Sequence, residues 1–204
     1  MATDVNVGYY DKHASEFIEA TVDARVDALY ARFRALIPAG GDILDLGCGS
    51  GRDSRYFASE GYRVVAADPS EAMCEYARAY AQVEVRQLGA QELSYDCEFD
   101  GVWACSSLLH VPETEMALAL QRVWRALRPG GVLYASWKYG RGKCVRGERT
   151  FTDMDEESLR SVLAQVPGLQ AVSIWVTEDV RPDRSDRWLN ALTRKVASFE
   201  YSTK

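Results

Sequence analysis

The chain has 204 residues, 47% of them hydrophobic, and sets 24 lysines and arginines against 30 aspartates and glutamates for a net charge of −6. A chain of this size buries roughly 70% of its surface on folding, enough for a core that needs neither metal nor disulfide. The acidic balance, with a pI near 5.1, argues against broad nucleic-acid binding and leaves room only for a local basic patch.

Five cysteines, Cys48, Cys74, Cys97, Cys105 and Cys144, are odd in number and never form a C-x-x-C pair, which fits a reducing compartment better than a disulfide framework or zinc site. Met1 to Asn6 lacks a basic segment followed by an apolar run, and no stretch approaches ~18 consecutive apolar residues. The expectation is a soluble, cytoplasmic protein with one domain over 1–204 and no internal repeat.

In chain order, Tyr9-Tyr10-Asp11-Lys12-His13 precedes an apolar stripe of Val22, Val26, Leu29, Tyr30, Phe33, Leu36 and Ile37, whose steps of three and four predict one helix ending before Pro38. Ile43 to Leu46 reads as a short buried strand that runs into Gly47-Cys48-Gly49-Ser50-Gly51 and a helix from about Arg52. Glycines at these positions allow positive φ and the close approach of a ligand. A dinucleotide fingerprint would place its third glycine at Arg52, one residue later, and a P-loop would end in Gly-Lys-Ser/Thr. Neither pattern is met.

Arg63 to Ala67 predicts the next strand, with Asp68 at its end, Pro69, and Ser70 as N-cap of a helix from Glu71 to about Tyr80. An acid in Asp68's place is positioned to accept hydrogen bonds from ribose hydroxyls. Further strands are expected at Val83–Gln87, Phe99–Cys105 and Val132–Trp137, helices at Glu113–Leu127 and Asp155–Val166, and two closing strands at Leu169–Thr177 and Trp188–Lys195. Residues 138–150 form a basic, glycine-rich loop: Lys138, Arg141, Lys143, Arg146 and Arg149 meet one acid, Glu148. Such a run is either a solvated surface or a seat for an anionic substrate. In the charged turn before the last strand, Arg181, Arg184 and Arg187 alternate with Asp183 and Asp186, a pattern that favours mutual pairing.

Asp45-x-Gly47-x-Gly49-x-Gly51 followed by Asp68 resembles the first two motifs of the class I S-adenosylmethionine (SAM) dependent methyltransferases, over roughly Tyr9 to Trp137. The resemblance implies an α/β, Rossmann-like, seven-stranded and mostly parallel sheet with helices on both faces and a C-terminal antiparallel hairpin. It implies SAM as cofactor, S-adenosylhomocysteine as product and no metal. Asp45, Gly47, Cys48, Gly49, Gly51, Asp68, Pro69, Met73, Ala90, Gln91 and Ser106 are the expected cofactor contacts, and 1–38 the lid segment and leading helix. Related enzymes usually carry an acid where this chain has Gly89; either Gln91 replaces it, or the Ala90 backbone and apolar contacts hold the adenine.

Methyl transfer is helped by holding reactants in line at ~3 to 3.5 Å, and a base is needed only for a hydroxyl or protonated amine acceptor. His110 is the first candidate base and His13 the second, with Tyr10 and Tyr139 as hydrogen-bonding partners of the acceptor; each histidine could equally be structural. The stretch Ala104 to Leu108 is unlike the loop of amino-methylating DNA enzymes. The expected substrate is a small molecule, anionic if the basic loop meets it, in a monomer or homodimer. The alternatives are an RNA or protein methyltransferase docking through that loop, and a non-catalytic SAM-binding sensor or partner subunit.

Overall fold

The computed structural model describes residues 5–181 and 184–196. The expectation of no targeting segment at Met1–Asp4, and the pairing expected of Asp183, lie outside the described residues. Three short helices lead in: α1 (Val5–Lys12), α2 (Ala14–Thr21) and α3 (Asp27–Arg34). The stripe from Val22 to Ile37 is therefore not one helix. The Thr21 carbonyl accepts from Ala24 N–H at 3.1 Å and from Arg52 Nη1 at 3.3 Å, so the chain turns there and re-enters helix at Asp27. Val26, Tyr30, Phe33 and Ile37 nevertheless share one buried cluster.

The sheet is built from β1 (Asp42–Leu46), β2 (Arg63–Asp68), β3 (Glu84–Gln87), β4 (Phe99–Ala104) and β5 (Leu127–Lys138), followed beyond a separate hairpin, β6 (Gly142–Arg146) and β7 (Arg149–Asp153), by β8 (Leu169–Glu178) and β9 (Arg187–Lys195). Its order is β3-β2-β1-β4-β5-β9-β8, parallel through β5, with β9 antiparallel to β5 and β8. This is the seven-stranded Rossmann-like sheet the sequence implied. β5 starts earlier than expected, because Leu127 already pairs with Phe99 before the register shifts across Arg128 to Gly131. Residues 138–150 are not a loop: after Tyr139 to Arg141, β6 and β7 pair in full register from Gly142↔Asp153 to Arg146↔Arg149.

Helices α4 (Arg52–Ser59), α5 (Glu71–Ala81), α6 (Glu113–Ala126) and α7 (Glu156–Leu163) cover the sheet. Alternation along the strands divides the core between its faces. Ile43, Trp103, Val132, Tyr134 and Leu192 join Phe33 of α3 and Phe57 of α4. Their neighbours Leu44, Val102, Leu133 and Ala191 join Met116, Leu120 and Val123 of α6 and Leu159 of α7. Gly101 is needed for this packing, since a Cβ there would meet Phe33 Cζ at 2.5 Å. Among the described residues no helix is long and apolar enough to cross a membrane.

Candidate active site

The carboxyl ends of β1, β2 and β4 converge on the glycine turn, where an open parallel sheet receives its ligand. Gly47, Gly49 and Gly51 take φ of 74°, 52° and 76°, as the sequence required. Their roles differ, however. A Cβ on Gly47 would lie 2.2 Å from Ser107 Cβ, and one on Gly51 3.1 Å from Ala77 Cβ, so these two glycines make room for the protein's own neighbours. At Gly49 the nearest atom is Phe17 Cε1 at 3.5 Å, which leaves the backbone able to face a ligand beneath that ring.

Asp68 ties the turn to the second strand. Its Oδ2 accepts Gly49 N–H and its Oδ1 accepts Ser70 N–H, both at 2.9 Å. Each oxygen keeps a further lone pair that can accept another hydrogen bond. Burial pushes the Asp68 carboxyl up to about 6, with the Ser70 and Gly49 amides pulling it back. Ser70 caps α5 as expected, accepting Met73 N–H at 3.2 Å.

Asp45 faces α4, where Ser54 Oγ donates to its Oδ2 at 2.5 Å. Burial, and then the charge of Asp53, push the Asp45 carboxyl up to about 8. Asp53 moves the other way. Burial opposes its ionisation, but Arg52, Tyr30 and Trp103 outweigh that and hold it below the usual carboxylate range. Arg52 Nε reaches Asp53 Oδ1 at 2.6 Å, Trp103 Nε1 donates to Oδ2 at 2.7 Å, and the Tyr30 hydroxyl also donates to Oδ1. Asp53 is thus the hub between α3, α4 and β4, more than the helix-dipole partner its place in a first turn suggests.

Beyond the turn opens a cavity of ≈ 360 Å³, within the ~300–1,000 Å³ usual for small-molecule sites. Gly47, Cys48, Gly49, Ser106, Tyr10 and His110 line it. Ser106 holds φ of 56°, with its N–H on Ser136 Oγ at 2.9 Å. The hairpin β6–β7 and the β8–β9 turn supply the far wall, through Arg146, Arg149, Phe151, Asp179 and Arg181. Burial pushes the Cys48 thiol well up and the Cys105 thiol up to about 11, so neither is a thiolate near neutral pH.

α1 roofs the site and is clipped on both sides. Asp11 Oδ1 accepts Ser70 Oγ–H at 2.6 Å and Ala72 N–H at 3.3 Å, while Asn6 Oδ1 accepts Thr150 N–H from β7 at 2.8 Å. Tyr9 and Tyr10 lie in this helix. Tyr10 Oη is 2.8 Å from His110 Nε2 and receives Arg149 Nη1 at 3.3 Å.

Other expected contacts lie elsewhere. His13 bonds Glu16 at 3.2 Å and packs on Tyr9, outside the cavity. The Tyr139 hydroxyl donates to Glu156 Oε2 at 3.1 Å and its ring lies under Arg187. Met73 is 1% exposed, core of α5. Gln91 Nε2 donates to Glu115 Oε2 at 3.2 Å while its Oε1 faces Gly89, on a rim with exposed Pro69 and buried Ala90. Phe17 and Asp53 are the site residues sequence reasoning missed. Only Asp53 left a signal, an acid directly after the turn's closing Gly-Arg.

This sheet, turn and roofed cavity define a nucleotide-type α/β binding site. Residues 43–131 match the family described as a methyltransferase domain. O-methyltransferase resE of Aspergillus sclerotiorum is 32% identical over 143 residues, covering 65% of this chain and 53% of that protein. The 27-O-demethylrifamycin SV methyltransferase of Amycolatopsis mediterranei is 36% identical over 137 residues, 62% of this chain and 48% of that one. The chain spans about half the length of these curated relatives. The Burkholderia thailandensis 1,6-didemethyltoxoflavin-N1-methyltransferase, solved with S-adenosylhomocysteine, shares the fold at a TM-score of 0.81 and 21% identity, covering 97% of this chain and 92% of that one. Over residues 43–131 the chain is thus similar to methyltransferase domains, in line with the resemblance that its glycine turn and Asp68 carry.

Proposed function

We propose that the protein transfers a methyl group from SAM to a small-molecule acceptor, with anionic acceptors favoured. The observation that carries this reading is the continuity of Gly49, held by Asp68, with a cavity that ends on Tyr10, His110 and Arg149. Bound SAM supplies an electrophilic methyl group on a sulfonium. Asp68 receives the ribose hydroxyls, the turn at Gly49 receives the backbone of the ligand, Phe17 covers it, and α1 excludes water. The named relatives act on small molecules, 27-O-demethylrifamycin SV and 1,6-didemethyltoxoflavin, which supports an acceptor of that size.

The charge balance of the lining supports the anionic preference. Asp53, Asp186, Asp153 and Asp179 neutralise Arg52, Lys138, Arg146 and Arg181. Among the described residues Arg149, Arg184 and Glu178 of the same lining make no ion pair, which leaves an excess of one positive charge. Arg141 is spent on Asp155 and Glu157, so the hairpin offers less of a basic docking face for RNA than its sequence suggested. Calorimetric titration with SAM and S-adenosylhomocysteine, beside NAD and ATP, tests the reading. Both methyl-cycle ligands should bind and Asp68→Ala should lose them; NAD binding in their place would refute it.

A further inference from the structure

Tyr10, His110 and Arg149 form a hydrogen-bonded row on the cavity wall. His110 Nδ1 lies 3.0 Å from the Thr150 carbonyl oxygen, which can only accept, so Nδ1 carries a proton. In the neutral ring Nε2 is then the acceptor, and it accepts a hydrogen bond from the Tyr10 hydroxyl. The lid tyrosine thus sits in a slot that gives a phenol one cationic donor, Arg149, and one neutral base. Aromatic rings surround it: Phe17 at 5.0 Å and Tyr9 at 5.5 Å from the Tyr10 ring, with Phe151 beneath Arg149 at 5.3 Å.

Resting on the methyl-transfer reading, we propose that this slot selects the acceptor: a phenol- or enol-type hydroxyl on a planar molecule, more acidic than tyrosine, whose oxygen takes the place of Tyr10 Oη when α1 shifts and is the atom methylated. A protonated amine is repelled by Arg149. An aliphatic alcohol, an acid far weaker than any phenol, cannot give its proton to an imidazole whose ordinary pKa is ~6.5. Tyrosine itself stays protonated here, because burial raises its pKa and Arg149 offsets only part of that, with Asp68 adding to the rise. In the transfer, an acceptor lone pair forms the O–CH3 bond and the C–S bond breaks with its electron pair on sulfur. The hydroxyl proton passes to His110 Nε2 and from there to water.

The test is a spectroscopic titration with 4-nitrophenol, coloured only when ionised, into the full chain saturated with S-adenosylhomocysteine, at a pH below the free phenol's own pKa. Bound nitrophenol should absorb as the phenolate, and 4-nitroaniline should not displace it. Arg149→Gln and His110→Gln should each reduce the phenolate signal at least tenfold, with Arg149→Lys retaining most of it. Unchanged S-adenosylhomocysteine affinity shows that these variants fold. Tyr10→Phe should tighten nitrophenol binding about threefold to tenfold, the worth of one competing hydrogen bond. Nitrophenol that binds as the neutral form, fails to bind, or binds more weakly to Tyr10→Phe overturns the proposal. If S-adenosylhomocysteine does not bind, the methyl-transfer reading fails separately, and nitrophenol added to the protein alone still decides the slot.

Discussion

The glycine turn and the β6–β7 hairpin face each other across one cavity, and they are held in place by different means. In the turn, backbone does the positioning: three positive-φ glycines and the amides of Gly49 and Ser70, gathered by one carboxylate, Asp68. Every partner comes from two adjacent strand ends. In the hairpin, side chains do it, over long sequence separations: Arg149 to Tyr10, Thr150 to Asn6, and the Thr152 hydroxyl to the Val111 carbonyl at 2.7 Å. A backbone cradle suits a ligand that is always the same, and a side-chain wall can be changed residue by residue to suit a new acceptor.

Asp53 ties the helix that follows the turn to α3 and β4, so its removal should have the largest effect. Asp53→Ala leaves the Arg52 guanidinium without its partner and strips the acceptor from the Trp103 indole and the Tyr30 hydroxyl. Breaking a buried pair from one side costs about 3–5 kcal/mol. The Arg52 side chain is 20% exposed toward the cavity, which places the cost at the lower end. Thermal unfolding should show Tm lower by roughly 10 °C. A change within experimental scatter would mean that the turn stands without this hub.

The backbone side makes a pH prediction that the hairpin does not share. Asp68 titrates near pH 6 in the ligand-free protein, its carboxyl raised by burial. On the proposed reading ribose hydroxyls donate to the ionised form, so affinity for S-adenosylhomocysteine should be full above that pH and fall as pH drops through it, by up to about tenfold per unit. Asp68→Asn should bind weakly with a flat profile. A wild-type affinity independent of pH between 5 and 7 would remove Asp68 from the binding site.

These two kinds of construction also explain what the sequence let us read. The turn was legible because Asp45, three glycines and Asp68 act through backbone geometry at fixed spacing, and the strand pattern followed from apolar alternation. The hairpin was not. Lys138 to Arg149 reads as a charged loop, because the carboxylates that neutralise it, Asp153, Asp155 and Asp186, lie beyond it in sequence and meet it only after folding. The break at Thr21 was hidden for the same reason, since it depends on Arg52 reaching a carbonyl 31 residues away. His13 shares its short segment with Tyr10, yet their rings part, Tyr10 toward His110 and His13 toward Glu16. Tyr10 lies on α1 and His13 in the turn that breaks it from α2, and no motif marks that break.

The lid tests the comparison most finely, since α1 is attached to both sides. Asn6 is the one buried residue of this helix, so polar clips rather than apolar burial hold it down. Asp11 secures the cofactor side through Ser70 and Ala72, and Asn6 and Tyr10 secure the hairpin side. Asp11→Ala should release only the first. At about 1 kcal/mol for the lost hydrogen bonds, amide exchange over residues 5–12 should quicken roughly fivefold, and S-adenosylhomocysteine should dissociate faster by a similar factor. Global stability should barely change, because no core side chain moves. Exchange that stays as slow as in the wild type would place the lid's anchorage wholly on the hairpin, and the acceptor wall, rather than the cofactor turn, would then govern when the site closes.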